Sequence, residues 1–320
     1  MEETILSVVC VLLAMTINVV HADDSWPAKP VRLIVPSSPG GGTDVFARLL
    51  AQSLSTSLSQ RFVVENKPGA SGNIGAQVVA MAAPDGYTFL VASNSSTAIN
   101  PFLYRNPTFD ARRDLIAVAR GVMSVNVLVV DPELGPKTLA DFISFAKQKP
   151  GTLAYGSAGT GSSPHLGVRM LEEQAGLKFV HVPYKGLGPA YQDLFAGRIQ
   201  FMYADLASAS PYVKGGKLKV LAVDRKTGLL PDAVTFAEAG LPKFDAPISF
   251  SVLAPAALPE PIVQRMATEV GKALRAIAPR LEQLALVPVY DTPAEFAASL
   301  EMERANWQAF IERNGIAADQ

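Results

Sequence analysis

Apolar and polar residues alternate along the chain in two series of strand-like and helix-like stretches. The first series predicts strands at residues 31–36, 61–66 and 87–93. Between the first two strands, Phe46, Leu50 and Leu54 recur at four-residue steps, which indicates one apolar face of a helix. A second helix is predicted at 72–83, and a turn follows at 84–86, where Pro, Asp and Gly stand together.

A second series of the same kind occupies the middle of the chain. It predicts strands at 125–130, 153–157, 178–182, 199–205 and 218–223, and helices at 138–149, 162–176 and 189–198. Alternation of strands and helices is typical of mostly parallel sheets with helices on both faces. The pattern therefore predicts an α/β fold built from two such units.

The last third of the chain changes character. One more strand is predicted at 248–255, and two long amphipathic helices follow, one marked by Ile262 and Met266 and the other by Phe296 and Leu300. The simplest packing returns this tail to the first unit, so that 121–129 and 248–255 become two strands crossing between the units. Two lobes joined in this way form a hinged clamp.

The lobe boundaries follow from these crossings. We expect lobe 1 to comprise residues 26–124 and 248–320, and lobe 2 to comprise residues 125–247.

The amino terminus has the layout of a secretory signal peptide. Residues 5–20 form an apolar run, and small or branched residues precede a cut after Ala22, so residues 1–22 are predicted to be removed. Glu2 and Glu3 replace the usual positive charges. The alternative is an uncleaved membrane anchor, but the run is shorter than the roughly 20 apolar residues of a spanning helix.

Composition narrows the classes of function. Lys and Arg number 28 against 29 Asp and Glu, so the chain has no basic surplus to hold nucleic acid. The one cysteine, Cys10, lies in the leader, which leaves the mature chain without a disulfide or a thiol nucleophile. Two histidines remain there, and no carboxylates stand at metal-ligand spacing, so we expect neither a metal nor a cofactor.

Three consecutive glycines, residues 40–42, join the first strand to its helix and precede Thr43 and Asp44. A helix N-terminus presents free N–H groups and a partial positive charge, which together bind anions. No Lys follows the glycines, so the stretch is not a phosphate-binding P-loop. An ordinary strand-to-helix turn is the alternative.

A second loop of this type, residues 155–167, lies in the other series. Its hydroxyl donors are Ser157, Thr160, Ser162 and Ser163. The sequence does not contain the G-x-S-x-G elbow of hydrolases. Since ligands of open α/β sheets bind beyond the carboxyl ends of strands, we expect the two loops to face each other across a cleft. Neutral amides and hydroxyls suffice to hold a carboxylate there, because a hydrogen bond to a charged group contributes roughly 1.5–3 kcal/mol.

Other residues near this cleft leave their roles open. His165 either touches the ligand or caps its helix, and His181 is interpreted as a structural strand residue. Asp205 suits an amino group or a bridging water, or is a plain turn aspartate. The segment 184–194 places a third helix N-terminus nearby.

The motifs KPVRLIVPSSPGGGTDVFARLLAQSL, FVVENKPGASGNIGA, PDGYTFLVAS, GSAGTGSSPHL, HVPYKGLGPAYQDLFAGRIQFMY and FAEAGLP together resemble the tripartite tricarboxylate transporter solute-binding receptors, also called Bug or TctC receptors. The similarity covers residues 26–316 in order. It implies a two-lobed periplasmic binding protein, a type II-like clamp, from a bacterium. It also implies that backbone amides of the two loops grip a ligand carboxylate, at Pro39, Gly40, Gly41, Thr43, Ser157, Ala158, Gly159, Thr160, Ser162 and His165.

The chain departs from the family pattern at four serines. Ser249 and Ser251 replace a usual aromatic and a glycine, and Ser37 and Ser38 replace an aromatic and a proline or alanine. These changes add hydroxyls and remove aromatic surface near the cleft.

The sequence thus predicts a non-catalytic, monomeric receptor for a small carboxylate: a di- or tricarboxylate, an aromatic acid or an acidic amino acid. The resemblance implies delivery to a membrane permease of the tripartite tricarboxylate type. A periplasmic enzyme acting on organic acids and a ligand sensor that contacts a sensor-kinase ectodomain are the alternatives. The sequence shows neither a nucleophile–base pair nor a cofactor loop, and this argues against the enzyme.

Overall fold

The structure, a computed structural model, describes residues 26–104 and 109–317, so the predicted signal peptide lies outside the described residues. Eleven strands are found in these ranges: β1 Val31–Val35, β2 Phe62–Asn66, β3 Thr88–Ser93, β4 Leu115–Ser124, β5 Asn126–Val130, β6 Ala154–Ser157, β7 Val180–Pro183, β8 Phe201–Asp205, β9 Lys219–Val223, β10 Ser249–Pro255 and β11 Leu286–Pro288.

Seven of the ten α-helices of the described residues lie at predicted positions, and the helices at 111–114, 206–214 and 278–282 were not predicted. These ten helices are α1 Gly42–Leu58, α2 Asn73–Ala80, α3 Ala111–Asp114, α4 Leu139–Lys147, α5 Ser163–Ala175, α6 Leu187–Phe195, α7 Leu206–Lys214, α8 Glu260–Ala276, α9 Ala278–Glu282 and α10 Pro293–Asn314. Within the described part of the chain, no helix combines the length and the apolarity needed to span a membrane.

The strands form two sheets, one in each lobe. The first has six strands in the order β11-β4-β10-β3-β1-β2, and the second has five in the order β7-β6-β8-β5-β9. The predicted two-lobed α/β architecture is confirmed. The strands of each sheet are divided along the chain as the lobe assignment requires, and the boundary residues of the lobes stay a prediction.

Both sheets are mixed. In the first, β1 pairs in parallel with β2 and β3, whereas β10 runs antiparallel to β3 and β4, and β11 antiparallel to β4. In the second, β6 is parallel to β7 and β8, and β5 is antiparallel to β8 and β9. The strand–helix–strand units therefore supply the parallel pairs, and strands that follow a change of lobe supply antiparallel ones.

The chain passes between the lobes at Val125, between β4 and β5, and again in the stretch 224–248. The predicted crossing strand 248–255 thus lies within the first sheet, where β10 makes all of its ladder hydrogen bonds. Both passages meet the first sheet at the same end of its strands, because Ser249 at the start of β10 pairs with Met123 near the end of β4. Two adjacent crossings of this kind form a hinge.

Helix α1 buries the apolar face that its sequence predicts. Phe46, Leu50 and Leu54 are fully buried, and the Phe46 ring stacks on Phe250 of β10 with 6.2 Å between the ring centroids. Helices α8 and α10 pack against β4, so the carboxyl-terminal tail returns to the first lobe as predicted.

We expect Phe46→Ala to lower the free energy of unfolding by about 3–5 kcal/mol, because it leaves a cavity between α1 and β10. Urea unfolding followed by circular dichroism measures the change. Met302→Ala, on the exposed face of α10, is the matched control and should change stability by less than about 0.5 kcal/mol. A similar loss in both variants would contradict the packing described here.

Candidate functional site

The glycine loop comprises residues 36–41 between β1 and α1. The three glycines of its motif, residues 40–42, differ in backbone conformation and in surroundings. Gly40 has a φ of +88°, a conformation that side chains rarely adopt. A Cβ on Gly42, the first residue of α1, would lie 2.2 Å from Asp205 Oδ1 of the other lobe. Gly41 is extended, with φ −82° and ψ 165°, and a Cβ there would have no atom within 4 Å. The fold therefore does not itself require a glycine at position 41.

Hydrogen bonds hold the glycine loop while leaving one N–H group free. Gly40 donates its N–H to the Asp44 carboxylate at 3.2 Å, and Arg48 grips the same carboxylate with two bonds of 2.9 Å. Burial would raise the pKa of Asp44, but the hydrogen bonds from Arg48, Asn66 and Gly40 lower it overall. The N–H of Gly41, a buried residue, has no hydrogen-bond partner among the described residues.

The serine loop, residues 158–162 between β6 and α5, is fixed by its own side chains. Ser157 Oγ lies 2.7 Å from His181 Nε2 and accepts the N–H of Gly159 at 3.1 Å. Ser162 caps α5 by accepting the N–H of His165 at 3.4 Å. Ala158 and Thr160 are partly exposed, and their N–H groups have no partner in the part of the chain that the structure describes.

His165 supports the serine loop from within. Its Nδ1 accepts the N–H of Gly161 at 3.1 Å, and its ring stacks on His181 with 4.1 Å between centroids. Burial lowers the pKa of His165 to about 2 and that of His181 to about 4, and for His165 the neighbouring His181 adds to the effect. Both rings are therefore neutral at pH 7, and the geometry gives His165 a supporting position.

One segment of lobe 2 touches both loops. Ser38 donates its N–H to the carbonyl of Lys185 at 3.0 Å, and a Cβ on Gly188 would lie 2.6 Å from the carbonyl oxygen of Pro39. On the other side, a Cβ on Gly159 would lie 3.3 Å from the carbonyl oxygen of Tyr184. Residues 184–188, at the N-terminus of α6, thus lie between the glycine loop and the serine loop, which places both at the interface of the lobes.

Asp205 lies at the end of β8, almost fully buried. Its carboxylate caps α7 by accepting the N–H of Ser208 at 2.8 Å, and it approaches Gly42 across the interface. Burial raises the pKa of Asp205, and the N–H groups of Ser208 and Gly42 offset part of that rise. The carboxylate therefore lies between the N-termini of two helices, one from each lobe.

The predicted site residues fall into two groups. Donors without a hydrogen-bond partner within residues 26–104 and 109–317 are the N–H groups of Gly41, Ala158 and Thr160 and the hydroxyl of Thr43. The others shape the loops or close the interface: Pro39, Gly40, Ser157, Gly159, Ser162, His165 and Asp205.

Sequence reasoning missed four residues of lobe 1 that reach lobe 2. Ser71 and Tyr104 bond the carbonyl of Thr160, and Ser95 and Asn94 bond Ser163 at the start of α5. A signal for the last two was available, since the polar run SNSST, residues 93–97, begins at the last residue of β3, at the same sheet edge as the glycine loop.

The serines that depart from the family pattern lie near these contacts. Ser38 Oγ donates to the carbonyl of Lys185 at 2.9 Å, and Ser37 Oγ is buried without a partner in the described chain. Ser249 and Ser251 are buried on the face of β10 opposite to Phe250, and their hydroxyls have no hydrogen-bond partner among the residues described.

Two lobes that meet at two strand-to-helix loops are typical of the two-lobed class of solute-binding proteins. The sequence profile of the family described as tripartite tricarboxylate transporter family receptor, TctC, matches residues 46–316. Protein BugT of Bordetella pertussis is 33% identical over 298 residues, which cover 91% of this chain and 91% of that protein.

Solved structures agree with this match. Rpa4515 of R. palustris with adipate is 34% identical, with a TM-score of 0.89 over 92% of this chain and 100% of that one. MatC of Rhodopseudomonas palustris with bound malate is 29% identical, with a TM-score of 0.84 over 89% of this chain and 100% of that one. The chain belongs to the tripartite tricarboxylate transporter receptor family, whose members are solute-binding receptors and not enzymes.

The two buried histidines predict a pH dependence of stability. Their pKa values are about 2 and about 4 in the folded chain and about 6.5 in the unfolded chain, so the unfolded chain binds more protons as the pH falls below 6.5. The free energy of unfolding should therefore decrease as the pH is lowered. Below about pH 6 the decrease is up to about 1.4 kcal/mol per pH unit for each histidine. Urea unfolding between about pH 7 and pH 5 measures this slope.

The control for this experiment is the double variant His165→Asn, His181→Gln. The raised pKa values of buried Asp205 and Asp224 act in the opposite sense, but they are common to both proteins. The difference between the two slopes therefore isolates the histidines. Equal slopes would show that the imidazoles titrate normally in the folded chain.

Proposed function

We propose that this protein is a periplasmic receptor that closes its two lobes on a small di- or tricarboxylate and delivers it to a permease of the tripartite tricarboxylate type. The N–H groups of Gly41, Ala158 and Thr160 and the hydroxyl of Thr43 donate to the ligand. Pro39, Gly40, Ser157, Gly159, Ser162 and His165 hold those donors in place.

The unpaired amides carry this proposal. More than nine tenths of buried backbone N–H groups in proteins are paired, and an unpaired one costs about 1–3 kcal/mol. Here the buried Gly41 of lobe 1 carries such a group, and the partly exposed Ala158 and Thr160 of lobe 2 add two further N–H groups without a partner among the described residues. Each hydrogen bond that they donate to a carboxylate contributes roughly 1.5–3 kcal/mol, and the N-terminus of α1 adds a favourable dipole.

The ligand-bound relatives support the substrate class. One was solved with adipate and another with malate, and both are dicarboxylates. Aromatic acids and acidic amino acids remain alternatives that the same binding screen distinguishes. The predicted leader, residues 1–22, supports export to the periplasm, and family membership supports a permease as the partner. A sensor-kinase ectodomain is the alternative partner.

A thermal-shift screen of di- and tricarboxylates, aromatic acids and acidic amino acids, with adipate and malate among them, tests the proposal. A ligand at 100 times its Kd should stabilise the protein by about 2.7 kcal/mol, and the acid should be recovered unchanged. Chemical conversion of an acid that binds would overturn the receptor assignment. If no acid in the panel stabilises the protein, the substrate class is wrong.

Gly41→Val tests the glycine loop itself. The backbone at Gly41 accepts any side chain and the space beside it is open, so stability should change by less than about 1 kcal/mol. The valine side chain would occupy the position from which the N–H reaches the ligand. We therefore expect the affinity, measured by calorimetry for the best acid of the screen, to fall at least about 100-fold, the loss of some two charge-assisted hydrogen bonds.

Gly228→Val is the matched control, because a Cβ there also has no atom within 4 Å. It should bind as the unmodified protein does. If Gly41→Val also binds normally, the glycine loop is a turn and not part of the site.

Asp205 is proposed as an acceptor for a ligand hydroxyl or ammonium, or for a bridging water. Asp205→Asn keeps the cap on α7, since asparagine is an equally good N-cap, but removes the charge. The affinity for malate, which carries a hydroxyl, should fall more than the affinity for adipate, which does not. Equal changes in the two affinities would assign Asp205 to the interface between the lobes alone.

A further inference from the structure

The carbonyl of Thr160 in the serine loop accepts two hydrogen bonds from the opposite lobe. Ser71 Oγ donates at 2.5 Å and Tyr104 Oη at 3.2 Å. The donors and the acceptor are separated by 89 and 56 residues along the chain. Since lobe 1 provides both hydroxyls and lobe 2 the carbonyl, these bonds exist only when the lobes are together.

Ser71 is presented by an unusual turn. Residues 69–72 all have positive φ, namely Gly69 at 131°, Ala70 at 45°, Ser71 at 50° and Gly72 at 97°. Non-glycine residues in this region cost of order 1–3 kcal/mol each and persist where the surroundings determine them. Asn100 supplies part of that support, because its Nδ2 donates to the carbonyl of Ser71 at 3.0 Å.

The other side of the contact is adapted to the approach of Ser71. Gly159 has a φ of +124°, and a Cβ there would lie 2.6 Å from Ser71 Oγ. A side chain at this position would therefore be strained by this φ and would displace the Ser71 hydroxyl from its bond to Thr160. Strain on one side and a required glycine on the other both favour the same close contact.

We propose that Ser71 and Tyr104 are positioning residues that form a clasp on Thr160, stabilise the closed clamp and hold the serine-loop amides over the ligand. This inference rests on the proposed function for its effect on binding, but not for its effect on closure. The clasp binds the carbonyl of Thr160, which lies in the chain after the two free N–H groups and before helix α5. It therefore fixes the N–H groups of Ala158 and Thr160 when the lobes close.

The clasp predicts a coupling between closure and affinity. Only the closed clamp presents donors from both lobes, so the apparent affinity scales with the fraction of protein that is closed. Each hydroxyl removed should lower the closed-to-open ratio by about 3- to 10-fold, and the affinity should fall in proportion to the closed fraction.

The experiment compares Ser71→Ala, Tyr104→Phe and the double variant with Tyr87→Phe. The last is a matched control, because the Tyr87 hydroxyl accepts the N–H of Ala28 within lobe 1 at 3.1 Å. The first measurement is the distance between spin labels at Met81→Cys in lobe 1 and Lys147→Cys in lobe 2, both exposed, in protein without ligand. The labelling is specific because Cys10 of the predicted leader is the one native cysteine.

The second measurement is the Kd for adipate and malate. We expect the clasp variants to shift the distance distribution towards the open clamp and to weaken binding, while Tyr87→Phe changes neither. Unchanged distances in the double variant overturn the clasp. If neither acid binds any of the proteins, the substrate class fails, but the distances in ligand-free protein still decide whether the clasp exists.

Discussion

The cleft depends on one constraint: backbone N–H groups of two loops must be held rigidly without hydrogen-bond partners of their own. A flexible loop would satisfy these groups by folding back on itself. Here the neighbouring groups of each loop are bonded to fixed side chains, Asp44 in lobe 1 and Ser157 and His165 in lobe 2. The remaining donors, such as the N–H groups of Gly41 and Thr160, have no partner among the described residues and are the ones that we propose to bind the ligand.

The basic side chains of Arg48, His165 and His181, which flank the loops, carry no free charge toward a ligand. Arg48 is bound to Asp44, and the two stacked histidines are neutral at pH 7 because burial lowers their pKa values. Neutral donors avoid the large desolvation penalty that a buried arginine would bring to the closed cleft. Recognition of an acid in such a cleft depends on where the N–H groups point, and therefore on the side chains that fix the loops.

The sequence predicts what is decided locally. Most of the strands and helices and the two loops follow from apolar periodicity, turn residues and N-caps, all within a few positions of one another, whereas the helix 206–214 was not predicted. The roles of Ser71 and Tyr104 could not be predicted, because their partner Thr160 is brought near by the meeting of two lobes. The same holds for the antiparallel pairs, and β11 is too short at three residues to show a pattern. His165 stayed ambiguous because capping and ligand contact require the same position.

The closed form is stabilised by several weak bonds between the lobes. A receptor requires weak bonds because it must also open to release its ligand. Ser95 accepts the N–H of Ser163 across the cleft, and the ion pair between Arg313 and Glu173 joins the lobes at the surface. Such hydrogen bonds contribute about 0.5–1.5 kcal/mol each, and exposed ion pairs about 0–1 kcal/mol. A stronger bond between the lobes would close the clamp regardless of ligand and prevent release. With weak bonds, the ligand's preference for the closed form decides the population.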